Sequence, residues 1–205
     1  MMPSGDPGWQ IVVGTSPVML FSLYLRDSAG LDSGPDAAGA PLVSPVVPPV
    51  PRMDPGRLVH DAGGLTVLRI EWETWWRQLL GSDPPPEVTP PRFPELESLP
   101  ALQLLAHAHY GSAMEWSSAR ISDYAALARR RGRLSLPDPF GELIQERELE
   151  LGRDAQAFTL QVVELPLSEP RAWFVEPGTL LMSQELPDDE QAFASYVRPL
   201  VELLA

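Results

Sequence analysis

Two proline-rich stretches do most to limit what this chain can fold into. The first runs from Pro35 to Pro55 and the second from Pro84 to Pro100, and each holds seven prolines. Proline fixes φ and carries no N–H, so neither stretch can lie inside a helix or a central strand. Both are expected to be extended and solvated, the first as a linker or large loop over 35–56, the second as a connection over 83–100. Pro45-Val46-Val47-Pro48 has the spacing of a polyproline II ligand. Such spacing also arises by chance in proline-rich sequence, and a plain loop is the simpler reading.

Apolar periodicity organises the rest. Trp9–Val13 and Val18–Leu25 read as strands joined at Gly14–Pro17, a hairpin. Gly63-Gly64 reads as a turn before a short strand over Leu65–Arg69. Trp72, Trp75, Trp76, Leu79 and Leu80 fall at i, i+3, i+4, i+7 and i+8, which predicts an amphipathic helix over Glu71–Leu80 stopped by Gly81. Leu99–Arg133 is helical in pattern, with a break expected near Gly111-Ser112. Asp138 and Pro139 are the N-cap and first residue of a further helix, whose inward residues are Phe140, Leu143, Ile144 and Leu151 and which Gly152 ends. Three strands are then expected: Ala157–Leu165, with Phe158, Leu160 and Val162 set against Thr159, Gln161 and Glu164; Ala172–Glu176; and Thr179–Leu186. Pro177-Gly178 supplies a turn, and short connections suggest an antiparallel meander. The last helix is capped at Asp188, presents Phe193, Tyr196, Val197, Leu200, Val201 and Leu204 on one face, and is expected to kink at Pro199.

The predicted fold class is α+β. An antiparallel sheet is built from the N-terminal hairpin and the C-terminal three-strand meander, with helices packed mainly on one face. If the hairpin joins the meander, sheet closure spans residues 1–205 and makes them a single domain despite the proline-rich stretches.

Composition removes whole classes of chemistry. The chain has no lysine, cysteine or asparagine, and all fifteen of its positive side chains are arginine. That excludes a Schiff-base or P-loop lysine, a thiol nucleophile, a cysteine-ligated zinc, an iron–sulfur cluster and a disulfide. Losing both lysine and asparagine points to high-GC, bacterial coding, so the arginine bias is read as mutational and not as phosphate recognition. The net charge of −13 argues against nucleic acid and against an anionic membrane surface. It suits a basic protein partner. The acidity is local: residues 136–205 hold four arginines against fourteen acids. The apolar stretch Trp9–Leu25 lacks a preceding positive charge and is broken at Gly14–Pro17, so it is not read as a signal segment. A cytoplasmic location is expected.

The candidate sites each have a plain structural reading beside a functional one. Trp72, Trp75 and Trp76 are either an aromatic anchor for a partner or core, and the helical spacing favours core. Arg129, Arg130, Arg131 and Arg133 either meet a phosphate or partner, or complement a helix C-terminus. His107 and His109 are two apart and point to different faces, which does not suit a metal site. His107 and Glu115 lie two turns apart, with no third ligand in view. His109, on the apolar stripe, fits a core histidine. His60-Asp61 pairs a base with a carboxylate, but precedes Gly63-Gly64 as a turn would. Glu146 and Glu150, with Glu142 and Glu148 on the same helix, have the spacing of paired acids, but alternate with Arg147 and Arg153 like a wet face. No metal, cofactor or phosphate-cradling motif is expected.

Taken together, these features predict a non-catalytic acidic partner-binding protein: an adaptor, an inhibitor or an assembly subunit. The acidic C-terminal third would attract a basic surface, and Trp72, Trp75, Trp76, Arg129, Arg130, Arg131, Glu142, Glu146 and Glu150 are the candidate contact residues. Two alternatives stand beside it. One is a small hydrolase with His60, His107 or His109 as base, helped by Asp61 or Asp123. The other is a structural component of a larger assembly.

Overall fold

The structure, a computed structural model, describes residues 8–31, 41–47, 62–82, 84–133, 138–175 and 177–205. Its elements in chain order are β1 (Gln10–Gly14), α1 (Pro17–Ser28), α2 (Ala62–Leu80), α3 (Pro100–Arg133), α4 (Pro139–Leu151), β2 (Thr159–Leu165), β3 (Ala172–Val175), β4 (Thr179–Ser183) and α5 (Glu190–Leu204). Short 3₁₀ turns cover Pro94–Leu96 and Leu186–Asp188. Two compact units result: a sheet unit of residues 1–15 and 124–205, and a helical unit of residues 16–123.

The sheet unit has four strands in the order β1-β2-β4-β3. β1 is parallel to β2, β2 is parallel to β4, and only β3 and β4 are antiparallel. The expected antiparallel hairpin and meander are therefore both replaced. β2 and β3 are not neighbours, because the six residues 166–171 carry the chain past the place that β4 then fills. The pattern of β4 explains its position. Leu180, Leu181 and Met182 are consecutive and all buried, as in a strand covered on both faces, whereas β3 is mostly half-buried and takes the edge. Gly178 lets the β3–β4 turn approach β2. A Cβ there would stand 3.1 Å from the Thr159 carbonyl oxygen, and the Gly178 carbonyl accepts from Gln161 N at 2.9 Å.

Leu160, Val162, Leu180, Met182 and Ala172 share one face of this sheet, and Phe140, Leu143 and Ile144 of α4 and Phe193, Val197, Leu200 and Val201 of α5 complete its core. The Phe140 and Phe193 rings meet edge to face at 4.9 Å, tying α4 to α5. Asp138 caps α4 through Phe140 N, and Gly152 closes it in a left-handed turn at φ 65°. Asp189, not Asp188, caps α5 by accepting from Ala192 N at 2.9 Å. Tyr196, expected on the apolar face of that helix, is exposed instead. α5 runs unbroken through Pro199.

In the helical unit, the second half of the expected hairpin is helix α1. Ser16 accepts from Met19 N and Pro17 occupies the first turn, so the Gly14–Pro17 segment starts a helix and does not turn a hairpin. Val18–Leu25 is apolar nearly all round because α1 is buried on nearly all sides. The expected turn at Gly63-Gly64 and strand over Leu65–Arg69 belong to α2, where Leu68 continues the stripe of Trp72, Trp75, Trp76 and Leu79 by one more turn. α3 passes Gly111 without interruption. Its start is capped by Glu71, whose Oε2 accepts from Leu102 N at 2.8 Å. The described part of the first proline-rich stretch, 41–47, is pinned where solvent was expected. Val43 and Val47 are buried, Val43 N donates to Asp27 Oδ2 at 2.9 Å, and Arg26 Nη2 donates to the Pro41 carbonyl at 2.8 Å. Phe93, Leu96 and Leu99 likewise sink from the second stretch into the core. Among the described residues no helix is long and apolar enough to cross a membrane.

Candidate functional site

The aromatic candidates are interior. Trp72, Trp75 and Trp76 are 1–2 % exposed. Trp72 and Trp76 stack at 5.4 Å, Trp72 Nε1 donates to the Ser22 carbonyl at 2.8 Å, and the Arg26 guanidinium lies over the Trp72 ring at 5.6 Å. None of the three rings offers a surface to a partner.

The two described histidines do not converge. His107 is exposed and packs edge-on against Phe93 at 4.8 Å, while His109 is buried on the inner stripe of α3. His60 and Asp61 lie outside the described residues. Asp123 is engaged by Arg120 at 2.8 Å. Among the described residues, no three His, Asp or Glu side chains stand close enough to hold a metal ion.

The arginine run divides. Arg129 and Arg130 are exposed at the end of α3. Arg131 turns into the sheet unit and joins three elements. Its Nη1 donates to both carboxylate oxygens of Glu164 on β2, at 3.2 and 3.0 Å. Its Nη2 donates to the Gln184 carbonyl at 2.5 Å and to Asp188 Oδ1 at 3.3 Å, both in the turn before α5. Glu164 has the same strand parity as Leu160 and Val162, so it points to the core face and is 3 % exposed. The polar face expected for it is corrected by that parity, and the parity was the signal by which the cluster could have been found.

Burial dominates the electrostatics of this cluster. It pushes the Glu164 carboxyl above its ordinary range, the charge and hydrogen bonds of Arg131 oppose that shift, and the Asp188 charge adds to it. Tyr124, seven residues before Arg131 on α3, is pushed up to about 12, first by burial and then by the Glu164 charge, with Arg131 again opposing. A guanidinium committed to four oxygens neutralises a buried carboxylate.

The acidic candidates are at the surface. Glu142, Glu146 and Glu150 are exposed along α4. Glu146 pairs with Arg198 of α5 and Glu150 with Arg147, both at 3.0 Å. Beyond them lies an open depression of about 590 Å³ at the start of α5, lined by Asp188, Asp189, Glu190, Gln191 and Ala194. Sequence reasoning did not single out this second acidic group, although Asp188, Asp189 and Glu190 are consecutive in the chain. Comparison with protein-family models, with curated proteins and with solved structures finds no match to this chain.

Proposed function

We propose that this is a non-catalytic, acidic partner-binding protein of the cytoplasm whose partner is a protein with a basic surface. The observation that carries the reading is the exposed carboxylate surface of the sheet unit. It has Glu142, Glu146 and Glu150 on α4, and Asp188, Asp189 and Glu190 around an open depression. Several like charges on one compact unit raise the local concentration of a basic partner and speed its encounter. The tryptophans of α2 are buried, so the reading rests on the carboxylates of α4 and α5.

The test is affinity capture from native-host lysate with tagged full-length chain, washed over a salt series. It is repeated with a variant carrying Glu142→Gln, Glu150→Gln and Glu190→Gln, three exposed positions. A stoichiometric basic protein that wild type retains at low salt, and that the variant or high salt releases, supports the reading. Absence of such a protein at low salt, or retention indifferent to both salt and variant, overturns it.

A further inference from the structure

Among the described residues, the edge strand β3 has no partner strand on its outer side, and the outer flank of α5 is exposed. In β3, Ser183 N of the neighbouring strand donates to the Arg171 carbonyl at 2.8 Å. In an antiparallel pair this alternation turns the backbone groups of Arg171, Trp173 and Val175 toward β4 and those of Ala172 and Phe174 outwards. β3 ends the strand order, so no described strand takes those outward groups.

α5 roofs that edge. It rests on β3, with Phe193, Val197, Leu200 and Val201 turned to the sheet and Arg198 reaching α4 at Glu146. A helix turns about 100° per residue, so Tyr196, Pro199 and Leu203 fall on the flank opposite Arg198. That flank faces away from α4, on a helix that itself rests on β3. Tyr196 is 41 % and Leu203 71 % exposed. An apolar flank over an unpaired edge is how an added strand is recognised, with backbone bonds giving affinity and alternate side chains giving specificity.

Charge selects the occupant. Asp189, exposed at the head of α5, borders the flank, and residues 136–205 carry four arginines against fourteen acids. Arg171, exposed at the head of β3, is a local exception. We propose that the outer edge of β3 accepts an extended segment of a basic protein partner as a fifth strand. Alternate apolar side chains of that segment pack under Tyr196, Pro199 and Leu203, and its arginine or lysine side chains meet Asp189. This rests on the acidic partner-binding reading and gives it a site. A second copy of the chain is disfavoured, since it would bring the same acidic surface to the same edge.

The probe is a short synthetic peptide alternating arginine and valine, with a glutamate–valine peptide as its control. Hydrogen exchange of the Ala172 and Phe174 amides is followed in the full chain, free and with each peptide. The expected result is fast exchange in the free protein and about tenfold slower exchange with the arginine peptide alone. Leu203→Arg, at an exposed position, is expected to weaken that binding about tenfold without unfolding the chain. Phe174→Pro, which removes an outward N–H, is expected to abolish the protection, with circular dichroism as the folding check.

Salt-sensitive peptide binding that protects other amides, such as Ile11 and Val13 of β1, or that ignores Leu203→Arg, overturns the β3 site and leaves the acidic reading standing. Slow exchange of both amides in the free protein, or protection that rises with protein concentration alone, shows the edge already filled and overturns it too. Equal protection by the glutamate peptide removes the basic partner. No binding of the arginine peptide, together with no basic protein captured from lysate, overturns both readings.

Discussion

Arg129, Arg130 and Arg131 are consecutive and chemically identical, yet only Arg131 is spent inside the protein. The difference is its partner. A carboxylate on the core face of β2 has lost its water, and one guanidinium supplies most of what replaces it. Removing that guanidinium leaves an uncompensated buried charge, so Arg131→Met is expected to cost about 3–5 kcal/mol. Glu164→Gln keeps a polar acceptor and removes the desolvated charge, and its cost is expected to be clearly smaller. Urea denaturation of the two variants measures both, and equal losses would contradict the asymmetry. The pH dependence follows from the raised Glu164 carboxyl. The native state holds that proton more tightly than the unfolded chain does, so this group's contribution is full at low pH. It is lost as pH rises from the ordinary carboxylate value near 4.5 through the raised native one. Wild type should therefore lose stability relative to Glu164→Gln across that window. Tyr124 acts in the same direction at higher pH. Its contribution is lost as pH rises from 10.0 through about 12, and a phenol titration of wild type against Tyr124→Phe detects the late-ionising tyrosine.

The second half of α2, and α4 and α5, were legible because each is amphipathic, and a period near 3.6 has only one structural meaning. α1 was not legible for the complementary reason: buried nearly all round, it has no polar face to set a period. Its one local signal, Ser16 before Pro17, is an N-cap and first-turn pair that also reads as a hairpin turn. The strands failed in a similar way. Leu180-Leu181-Met182 announces an interior strand, but nothing local to β3 says that it will be passed over and left at the edge. Capping was legible to within one residue, and its energy is testable. Asp189→Ala removes the acceptor for Ala192 N and is expected to cost about 1 kcal/mol. Leu200→Ala, on the buried face of the same helix, is expected to cost about 2–5 kcal/mol. Chemical denaturation that ranked the cap above the leucine would mean that this helix is held by its end and not by its face.

At the scale of the molecule, β1 pairs with a strand that begins well over a hundred residues later, and the helical unit comes between the two in sequence. A sequence can propose such closure but cannot fix its direction, because a parallel partner is set by the crossover and not by the strand. The proline-rich stretches were misjudged at this scale too. A run of prolines works against a helix or a central strand, but it does not forbid burial of the residues between prolines. The described segment 41–47 buries Val43, between Pro41 and Pro45, and Val47, just before Pro48, and its backbone meets a buried Arg26–Asp27 pair on α1. Burying a valine contributes roughly 1.5 kcal/mol or more. Losing Val43 and Val47 should then cost about 3 kcal/mol before the hydrogen bonds at Arg26 and Asp27 are considered. For a chain of this size that is about 6–12 °C in melting temperature. Deleting residues 35–55 is therefore expected to destabilise the helical unit by at least that amount. Val43→Ala alone should move it in the same direction by a smaller step. Calorimetry on both variants decides the point. A melting temperature unchanged by the deletion would return the segment to the role of a linker, and would leave the burial of Val43 and Val47 without energetic consequence.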